Sequence, residues 1–275
     1  MTTSPQYRPR RAWTIAGLLA VMMTSNFLDK AVIGLVAVPM MAELKLSPTQ
    51  FGLLGASFYW LYAVGAIAGG LAANRVATRW VLLAMALCWA LVLLPMAVST
   101  SLLAFVACRA LLGLVEGPAS PVAIHALYKW FPDHRRSLPV ALLYQGSSAG
   151  LLLAGLLIPV VSAHWGWRAN FIVLAGAGLL WCAAWRLFGG EGELDAARPA
   201  DAGAARVPYR RLLADRTVLG IYGAHFTAHW ALAASLTWLN GYLQQGLGYA
   251  PVEAGRMFAL FVLVTSPVSL ALAWG

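Results

Sequence analysis

Long apolar runs separated by short polar segments dominate the chain. Each run has about 20 residues, enough to cross roughly 30 Å of hydrocarbon as a helix. Because lipid offers the backbone no hydrogen-bond partners, a spanning segment must be a helix or part of a closed barrel. The runs lack the alternating pattern of barrel strands. The pattern therefore predicts eight helical membrane spans, at 12–40, 51–73, 80–98, 102–128, 138–161, 170–188, 217–243 and 255–275.

The composition supports this interpretation. The chain is 61% hydrophobic and 11% charged, whereas a soluble domain carries about 25% charged residues. The first run is too long for a cleavable signal peptide and lacks a small-residue cleavage site. Cys88, Cys108 and Cys182 all fall within spans, so we expect them to be small packing residues.

The positive charges lie in alternate loops. Arginine and lysine precede span 1 and follow spans 2, 4 and 6, while the other loops hold few of them. This distribution predicts a multi-pass protein of the plasma (inner) membrane with a cytoplasmic N-terminus. The net charge is +9, but a surface for nucleic acid would cluster its cations on one soluble domain. We therefore expect the lipid bilayer, and no nucleic acid, as a partner.

Two short matches at one offset, 203 residues, indicate an internal repeat. TIAGL at 14–18 matches TVLGI at 217–221, and LSPTQFG at 46–52 matches YAPVEAG at 249–255. Two six-helix halves related by an axis along the membrane normal are the plan of a large class of transporters. The predicted domains are a six-helix half at 1–188, a cytoplasmic linker at 189–216 and the start of a second half at 217–275.

The second match also predicts how two spans begin. Ser47, Pro48 and Gln50 fit the N-cap, N1 and N3 positions of a capping box before span 2. Pro251 and Glu253 repeat the N1 and N3 positions before span 8. A complete second half would extend beyond residue 275. We therefore expect a C-terminally truncated chain with about eight of twelve helices, and a genuine eight-span protein is the alternative.

Several motifs stand at fixed places in the spans. NFLDKAVIG lies in span 1 and RALLGLVEGPASP in span 4, with KWFP after span 4, GWR before span 6, and YRRLLADRTVLG and TWLNGYL around span 7. Together they resemble the major facilitator superfamily, and within it the anion:cation symporter family of organic-anion transporters. The resemblance implies an all-α helix bundle and symport of a proton with a small organic anion, such as a sugar acid or other carboxylate, by alternating access. It also implies no cofactor and a monomer when full length.

The chain departs from the family at two places. The loop between spans 2 and 3 reads GLAANRVATR, with Asn74 in place of the usual acid and Ala77 in place of a glycine. The resemblance makes this a gating loop, and we expect a latch through Arg75 and Arg79 to be weaker without the carboxylate. In span 1, Lys30 replaces the family's arginine. Lysine keeps the charge but loses the bidentate geometry for a carboxylate.

Four ionisable residues lie well within spans: Asp29 and Lys30 in span 1, and Arg109 and Glu116 in span 4. At 1.5 Å per residue, Asp29 and Arg109 should lie at similar depth. Arg109, Gly113, Glu116 and Gly117 follow i, i+4, i+7, i+8 and so share one helix face. The two glycines should let another helix approach that face closely.

Charges inside a membrane usually line a substrate or proton path. Because a low dielectric favours the neutral form of a carboxyl group, a buried acid can carry a proton. We expect Glu116 to be the proton carrier, with Asp29 as the second candidate. Lys30 and Arg109 are candidates to bind the anionic substrate or the carboxylates themselves. The alternative is a set of ion pairs that neutralise each other and fix the helix register.

Other polar residues are weaker candidates. The resemblance places a substrate-contacting tyrosine at Tyr62, and Tyr144 and Gln145 in span 5 are candidates to face the cavity, with helix packing as the alternative. His225 and His229 have the i, i+4 spacing of metal ligands. No third ligand is evident in the sequence, so we predict cavity lining or hydrogen bonding between helices and no metal site.

Two rival functions remain. GSSAG at 146–150 fits Gly-x-Ser-x-Gly around Ser148, which suggests an intramembrane hydrolase. That motif needs a strand-to-helix turn, and small residues within a span more simply form a close-packing face. We therefore predict that the protein is not an enzyme. A non-transporting partial membrane protein is the other alternative.

Overall fold

The computed structural model describes residues 7–192, 194 and 214–272, with side chains as far as residue 265. Within these residues all regular secondary structure is helical. The α-helices are α1 (Pro9–Leu35), α2 (Ala37–Leu44), α3 (Pro48–Trp60), α4 (Tyr62–Ala73), α5 (Thr78–Val98), α6 (Leu102–Glu116), α7 (Ala119–Trp130), α8 (Ser137–Trp165), α9 (Ala169–Phe188), α10 (Arg216–Ala234) and α11 (Pro251–Leu272). A 3-10 turn spans Asp133–Arg135, and π-helical turns span Ser235–Leu239 and Tyr242–Gly246.

The helices confirm the predicted all-α membrane fold. In the described part of the chain, six segments are long and apolar enough to cross a membrane, and they correspond to the first six predicted spans. They are Pro9–Leu35, Pro48–Ala73, Thr78–Val98, Leu102–Trp130, Ser137–Trp165 and Ala169–Phe188. The seventh and eighth predicted spans are helical as α10 and α11 but do not belong to this set.

Several spans are interrupted. Span 1 bends at Val36 between α1 and α2, and span 2 at Leu61 between α3 and α4. Span 4 breaks between α6 and α7 at the Gly117–Pro118 pair. Since Pro118 has no N–H, the Leu114 carbonyl lacks its usual helical donor. These breaks divide spans 2 and 4 close to the buried charges.

Both predicted span starts are capped as expected. The Ser47 hydroxyl accepts a hydrogen bond from the Gln50 N–H at 3.2 Å, and Gln50 Oε1 accepts one from the Ser47 N–H at 2.9 Å. At α11, which begins at Pro251, Glu253 Oε2 accepts from the Ala250 N–H at 3.3 Å. The capping box of α3 is therefore confirmed. The corresponding cap of α11 has only one of the two hydrogen bonds, because the alanine side chain at position 250 cannot accept a bond from the backbone N–H of Glu253.

Small residues let α1 and α8 pack closely. Gly146 faces the Ala20 carbonyl and Gly150 the Thr24 carbonyl, so a Cβ at either position would meet the backbone of α1. The Thr24 hydroxyl donates to the Gly146 carbonyl at 3.0 Å. GSSAG thus lies within one continuous helix and forms the expected close-packing face. There is no strand-to-helix turn at Ser148 to expose a nucleophile.

The two ends of the helix bundle differ. We call the end where α1 begins, and where Arg79 and Lys129 lie, the basic end, and the other the opposite end. The π-helical segment after α10 packs on α1, and α11 packs on α8 through Gly155 and Gly255, both towards the opposite end. Nearer the basic end, 221–230 of α10 is exposed throughout. The last two spans therefore contact the first six towards the opposite end, while 221–230 of α10 makes no buried contact with the described helices nearer the basic end.

Glu191, which follows α9, joins α5 and α7 at the basic end. Its carboxylate accepts hydrogen bonds at the start of α5, from the N–H and hydroxyl of Thr78 at 3.1 and 2.9 Å and from the N–H of Arg79 at 2.9 Å. It also pairs with Lys129 Nζ at the end of α7, at 2.5 Å. A carboxylate is favoured at a helix N-terminus because the first N–H groups have no partner within the helix. We call this arrangement the Glu191 clamp.

The clamp shifts the ionisation of Glu191. Burial by itself raises the pKa of this carboxyl group, but the hydrogen bonds from Lys129, Arg79 and Thr78 and the Lys129 charge outweigh it, and the pKa is lowered from 4.5. In the loop that the sequence marks for gating, Asn74 and Arg75 are exposed, and the Arg79 carbonyl accepts from Trp185 Nε1 at 2.9 Å. The acidic residue that contacts this loop is Glu191, which follows span 6. The family pattern has its acid within the loop itself, at the position of Asn74. The gating role of the loop stays a prediction.

Replacing Glu191→Gln should lower the free energy of unfolding by about 1–3 kcal/mol at pH 7, because charge-assisted hydrogen bonds are lost. The measurement is thermal unfolding in detergent across pH. Since the folded pKa lies below the unfolded value, the wild-type advantage is fully present above about pH 4.5 and disappears as pH falls through the folded pKa.

The matched control for the clamp is Glu253→Gln. Glutamine keeps an oxygen to accept from the Ala250 N–H, so this variant should unfold like wild type at every pH. If Glu191→Gln also unfolds like wild type at pH 7, the clamp does not stabilise the fold.

Candidate functional site

Two helices bring the buried charges together. Helix α1 contributes Asp29 and Lys30, and α6 contributes Arg109 and Glu116. Asp29, Arg109 and Glu116 are 1%, 4% and 0% exposed, and Lys30 is half-buried. Each of the four groups lies within electrostatic reach of the others. The structure thus places all four charged candidates in one cluster.

The glycines of α6 let span 2 approach the cluster. A Cβ at Gly113 would meet the Phe58 carbonyl, and one at Gly117 the Tyr62 carbonyl. From the other side, Gly65 of α4 lies against the Leu114 carbonyl. The expectation that a helix packs closely on this face is confirmed, and the partner is span 2, formed by α3 and α4. This contact brings the aromatic residues of span 2 next to the charges.

A chain of hydrogen bonds connects a cation of α1 to a carboxylate of α6. Lys30 Nζ donates to Asn26 Oδ1 at 2.7 Å, and Asn26 Nδ2 donates to Glu116 Oε2 at 2.9 Å. Asn26 is fully buried, and it lies one helical turn before Lys30 on the same face. Sequence reasoning missed Asn26 as a site residue. The feature of the sequence that could have identified Asn26 is its spacing of four residues from the charged Lys30.

The charged groups keep unused hydrogen-bonding capacity. Among the described residues, no ion pair joins the four to one another, and the ion pairs present involve Glu43, Asp133 and Glu191. Both Asp29 oxygens, Glu116 Oε1 and Arg109 Nε have no hydrogen-bond partner within the described chain. Leaving a buried polar atom unpaired costs about 1–3 kcal/mol, and more for a charge. A scaffold of mutually neutralising ion pairs would not carry this cost.

Aromatic rings hold the two cations. Lys30 Nζ lies 4.5 Å from the ring centre of Phe27 and 5.3 Å from that of Tyr62. The Arg109 guanidinium lies 4.5 Å from the ring centre of Phe58, which is 5.6 Å from the Tyr62 ring. Cations are attracted to the faces of such rings. Tyr62 therefore lies at the cluster, where the family resemblance implied a contact residue.

The remaining candidates lie outside the cluster. Tyr144 and Gln145 are exposed on α8, and Gln145 makes no hydrogen bond to the four charged residues. Its substrate role stays a prediction. His225 and His229 are exposed on α10 with ring centres 4.0 Å apart, and His229 Nδ1 lies 3.1 Å from the His225 carbonyl oxygen. No third potential ligand joins them within the described residues.

Comparison with known proteins identifies a matching family. The model of the major facilitator superfamily matches residues 19–275. The chain is 28% identical over 276 residues to the sodium-dependent phosphate transport protein 1, chloroplastic, of Arabidopsis thaliana (95% of this chain, 54% of that protein). It is 26% identical over 252 residues to the hexuronate transporter of Bacillus subtilis (90% and 60%). It is 27% identical over 272 residues to the D-galactonate transporter of Escherichia coli (90% and 63%). The chain thus spans about half the length of the curated relatives it matches.

A solved structure has the same fold. The bacterial homologue of the human lysosomal transporter Spinster, in an inward-facing and unoccupied conformation, superposes with a TM-score of 0.77 at 21% identity. The superposition covers 94% of this chain and 60% of that one. The likeness supports the fold of the described helices.

Gly113→Ala should destabilise the protein by about 1–3 kcal/mol, because the added methyl group overpacks a close backbone contact. The added Cβ would meet the Phe58 carbonyl. Thermal unfolding in detergent measures the effect.

Gly176→Ala is the control for this contact. A Cβ there meets nothing within 4 Å, and removing a helix glycine should stabilise by about 0.5–1 kcal/mol. Equal effects of the two substitutions would contradict the close approach of span 2 to α6.

Proposed function

This chain belongs to the major facilitator superfamily, and we propose that the protein it forms carries a small organic anion and a proton across the membrane together, by alternating access. The members of this superfamily are multi-pass membrane transporters and not enzymes, which confirms that the Ser148 motif does not mark a hydrolase. The buried cluster would be the site at which both the anion and the proton bind.

The chemistry of the site favours an anionic substrate. Lys30 and Arg109 place two cations beside aromatic rings, and Arg109 Nε has no partner among the described residues. Two of the relatives are named for sugar acids, hexuronate and D-galactonate. We infer a carboxylate that binds Lys30 and Arg109, with the Tyr62 hydroxyl available to the substrate's own hydroxyl groups. We also propose Gln145, which is exposed on α8, as a further contact of the substrate.

The observation that carries the proposal is the hydrogen-bond chain from Lys30 through Asn26 to Glu116. While Glu116 is negative, it attracts the Lys30 ammonium and competes with an incoming anion. Protonation of Glu116 removes that competition and frees Lys30 for the substrate. By linkage, a bound anion favours the neutral form of Glu116 to the same extent.

Asp29 is a second site for a proton. Both of its oxygens are buried without a donor among the described residues, so they are free to hold a proton. It lies next to Lys30 in sequence but makes no ion pair with it. One or two protons could therefore accompany each anion, depending on whether Asp29 titrates.

We further propose how the protein is oriented and in which membrane it lies. The cations at the basic end favour the cytoplasm for that end and for the N-terminus, by the positive-inside rule. We propose the plasma (inner) membrane as the location, as for a bacterial transporter, whereas the Arabidopsis relative and several others are named as chloroplastic. All cluster residues come from one chain, which is compatible with a monomer.

Glu116→Gln should abolish uptake of galactonate driven by a pH gradient in proteoliposomes that hold the complete protein. Glutamine keeps the bond to Asn26 but cannot carry a proton. Exchange of internal for external galactonate should continue, since exchange needs no net proton movement. Glu253→Gln serves as the control. Gradient-driven uptake at the wild-type rate would overturn the assignment of Glu116.

Lys30→Met should lower both uptake and exchange, because it removes the cation but keeps the side-chain length. A charge-assisted hydrogen bond contributes about 1.5–3 kcal/mol, so we expect KM for galactonate to rise by about 10- to 100-fold. Lys45→Met, at an exposed position, is the matched control. An unchanged KM would show that Lys30 does not bind the anion.

A further inference from the structure

Asn240 connects the last two spans to the first one. It lies between the two π-helical turns that follow α10 and is 2% exposed. Its Nδ2 donates a hydrogen bond to the Leu35 carbonyl, at the end of α1, at 3.0 Å. Short π-helical segments often mark functional positions. This side-chain contact reaches across 205 positions of sequence at the opposite end of the bundle.

The Leu35 carbonyl needs a partner from outside its own helix. In an α-helix it would accept from the N–H four residues later. That residue is Pro39, which has no N–H. The Val36 N–H points back to the Val32 carbonyl, and α1 ends at Leu35. Asn240 therefore satisfies a carbonyl that the sequence of span 1 leaves open.

Close contacts surround this hydrogen bond. A Cβ at Gly34 would meet the Leu236 carbonyl, and one at Gly55 would lie 2.7 Å from the Thr237 side chain. Phe51 and Trp238 pack edge to face with ring centres 5.5 Å apart. Spans 1 and 2 are thus closed against span 7 at the opposite end, whereas 221–230 of α10 is exposed nearer the basic end.

Asn240 is only half satisfied in this arrangement. Its Oδ1 is buried and has no hydrogen-bond partner among the described residues. Separation of the halves at the opposite end would let water reach both this oxygen and the Leu35 carbonyl. The contact therefore stabilises the closed arrangement without making it permanent, as a reversible gate requires.

We propose that Asn240 is a gate residue: its hydrogen bond to the Leu35 carbonyl holds the opposite end closed while the basic end is open, and it breaks when the halves rock to the other conformation. This role is independent of the solute and of proton coupling. It rests on the alternating access proposed above and on the contacts between span 7 and span 1.

Spin labels can measure the gate in the complete protein, reconstituted in nanodiscs with its cysteines, Cys88, Cys108 and Cys182 among them, replaced by alanine. One label pair, at exposed positions 101 and 247, reports the opposite end. A second pair, at exposed positions 74 and 216, reports the basic end. In the parent protein we expect short distances at the opposite end and long distances at the basic end.

Asn240→Leu removes the donor but keeps a similar volume. We expect the ratio of open to closed molecules at the opposite end to rise by about fivefold, as for the loss of one hydrogen bond. The distances at the basic end should shorten in parallel. Gln245→Leu, an exposed amide on the same segment, should change neither pair.

A rescue variant separates gating from a general loss of structure. Adding Pro39→Ala to Asn240→Leu gives residue 39 an N–H for the Leu35 carbonyl, so the closed distances should return. Asn240→Ala is the second variant if leucine does not fit. The proposal is overturned if both Asn240 variants keep the parent distances, or if the shift persists when Pro39→Ala is added.

Discussion

The hydrogen bond between Asn26 and Glu116 joins the two spans that carry every buried charge of the site. Burying a charge in a membrane costs at least about 2.5–3.5 kcal/mol on insertion scales, and here no ion pair among the four offsets it. Neutral Asn26 instead shares its amide between Lys30 and Glu116. The cations and carboxylates therefore stay separate and able to bind other partners, and the proposed coupling of anion and proton depends on this separation.

Helix packing makes that arrangement possible. Gly113 and Gly117 let the backbone of span 2 approach α6, which places Phe58 and Tyr62 over the cations. The same principle operates between spans 1 and 7, since Gly34 allows the backbone at Leu236 to contact α1. Small residues thus bring span 2 to the buried charges and span 7 to the proposed gate. At the basic end, Glu191 connects α5 and α7 by charge and hydrogen bonding.

Features set by local sequence could be predicted. The six hydrophobic spans, the capping box at Ser47 and the shared face of Arg109 and Glu116 follow from hydropathy and helical spacing alone. Contacts between distant segments could not be predicted in the same way. Asn26, Glu191 and Asn240 are ordinary polar residues in the sequence, and each has a partner at least 62 positions away. Only the folded chain shows which carbonyl, lysine or carboxylate each one meets.

The most direct test of the coupling between anion and proton is proton uptake on substrate binding. Galactonate is added to the complete, purified protein in weakly buffered detergent solution near pH 7 while a pH electrode records the change. The account predicts that the solution becomes more alkaline as the anion binds and Glu116 takes up a proton, and that the Glu116→Gln protein binds galactonate without this signal. Binding by wild type with no pH change, or the same change in both proteins, would contradict it.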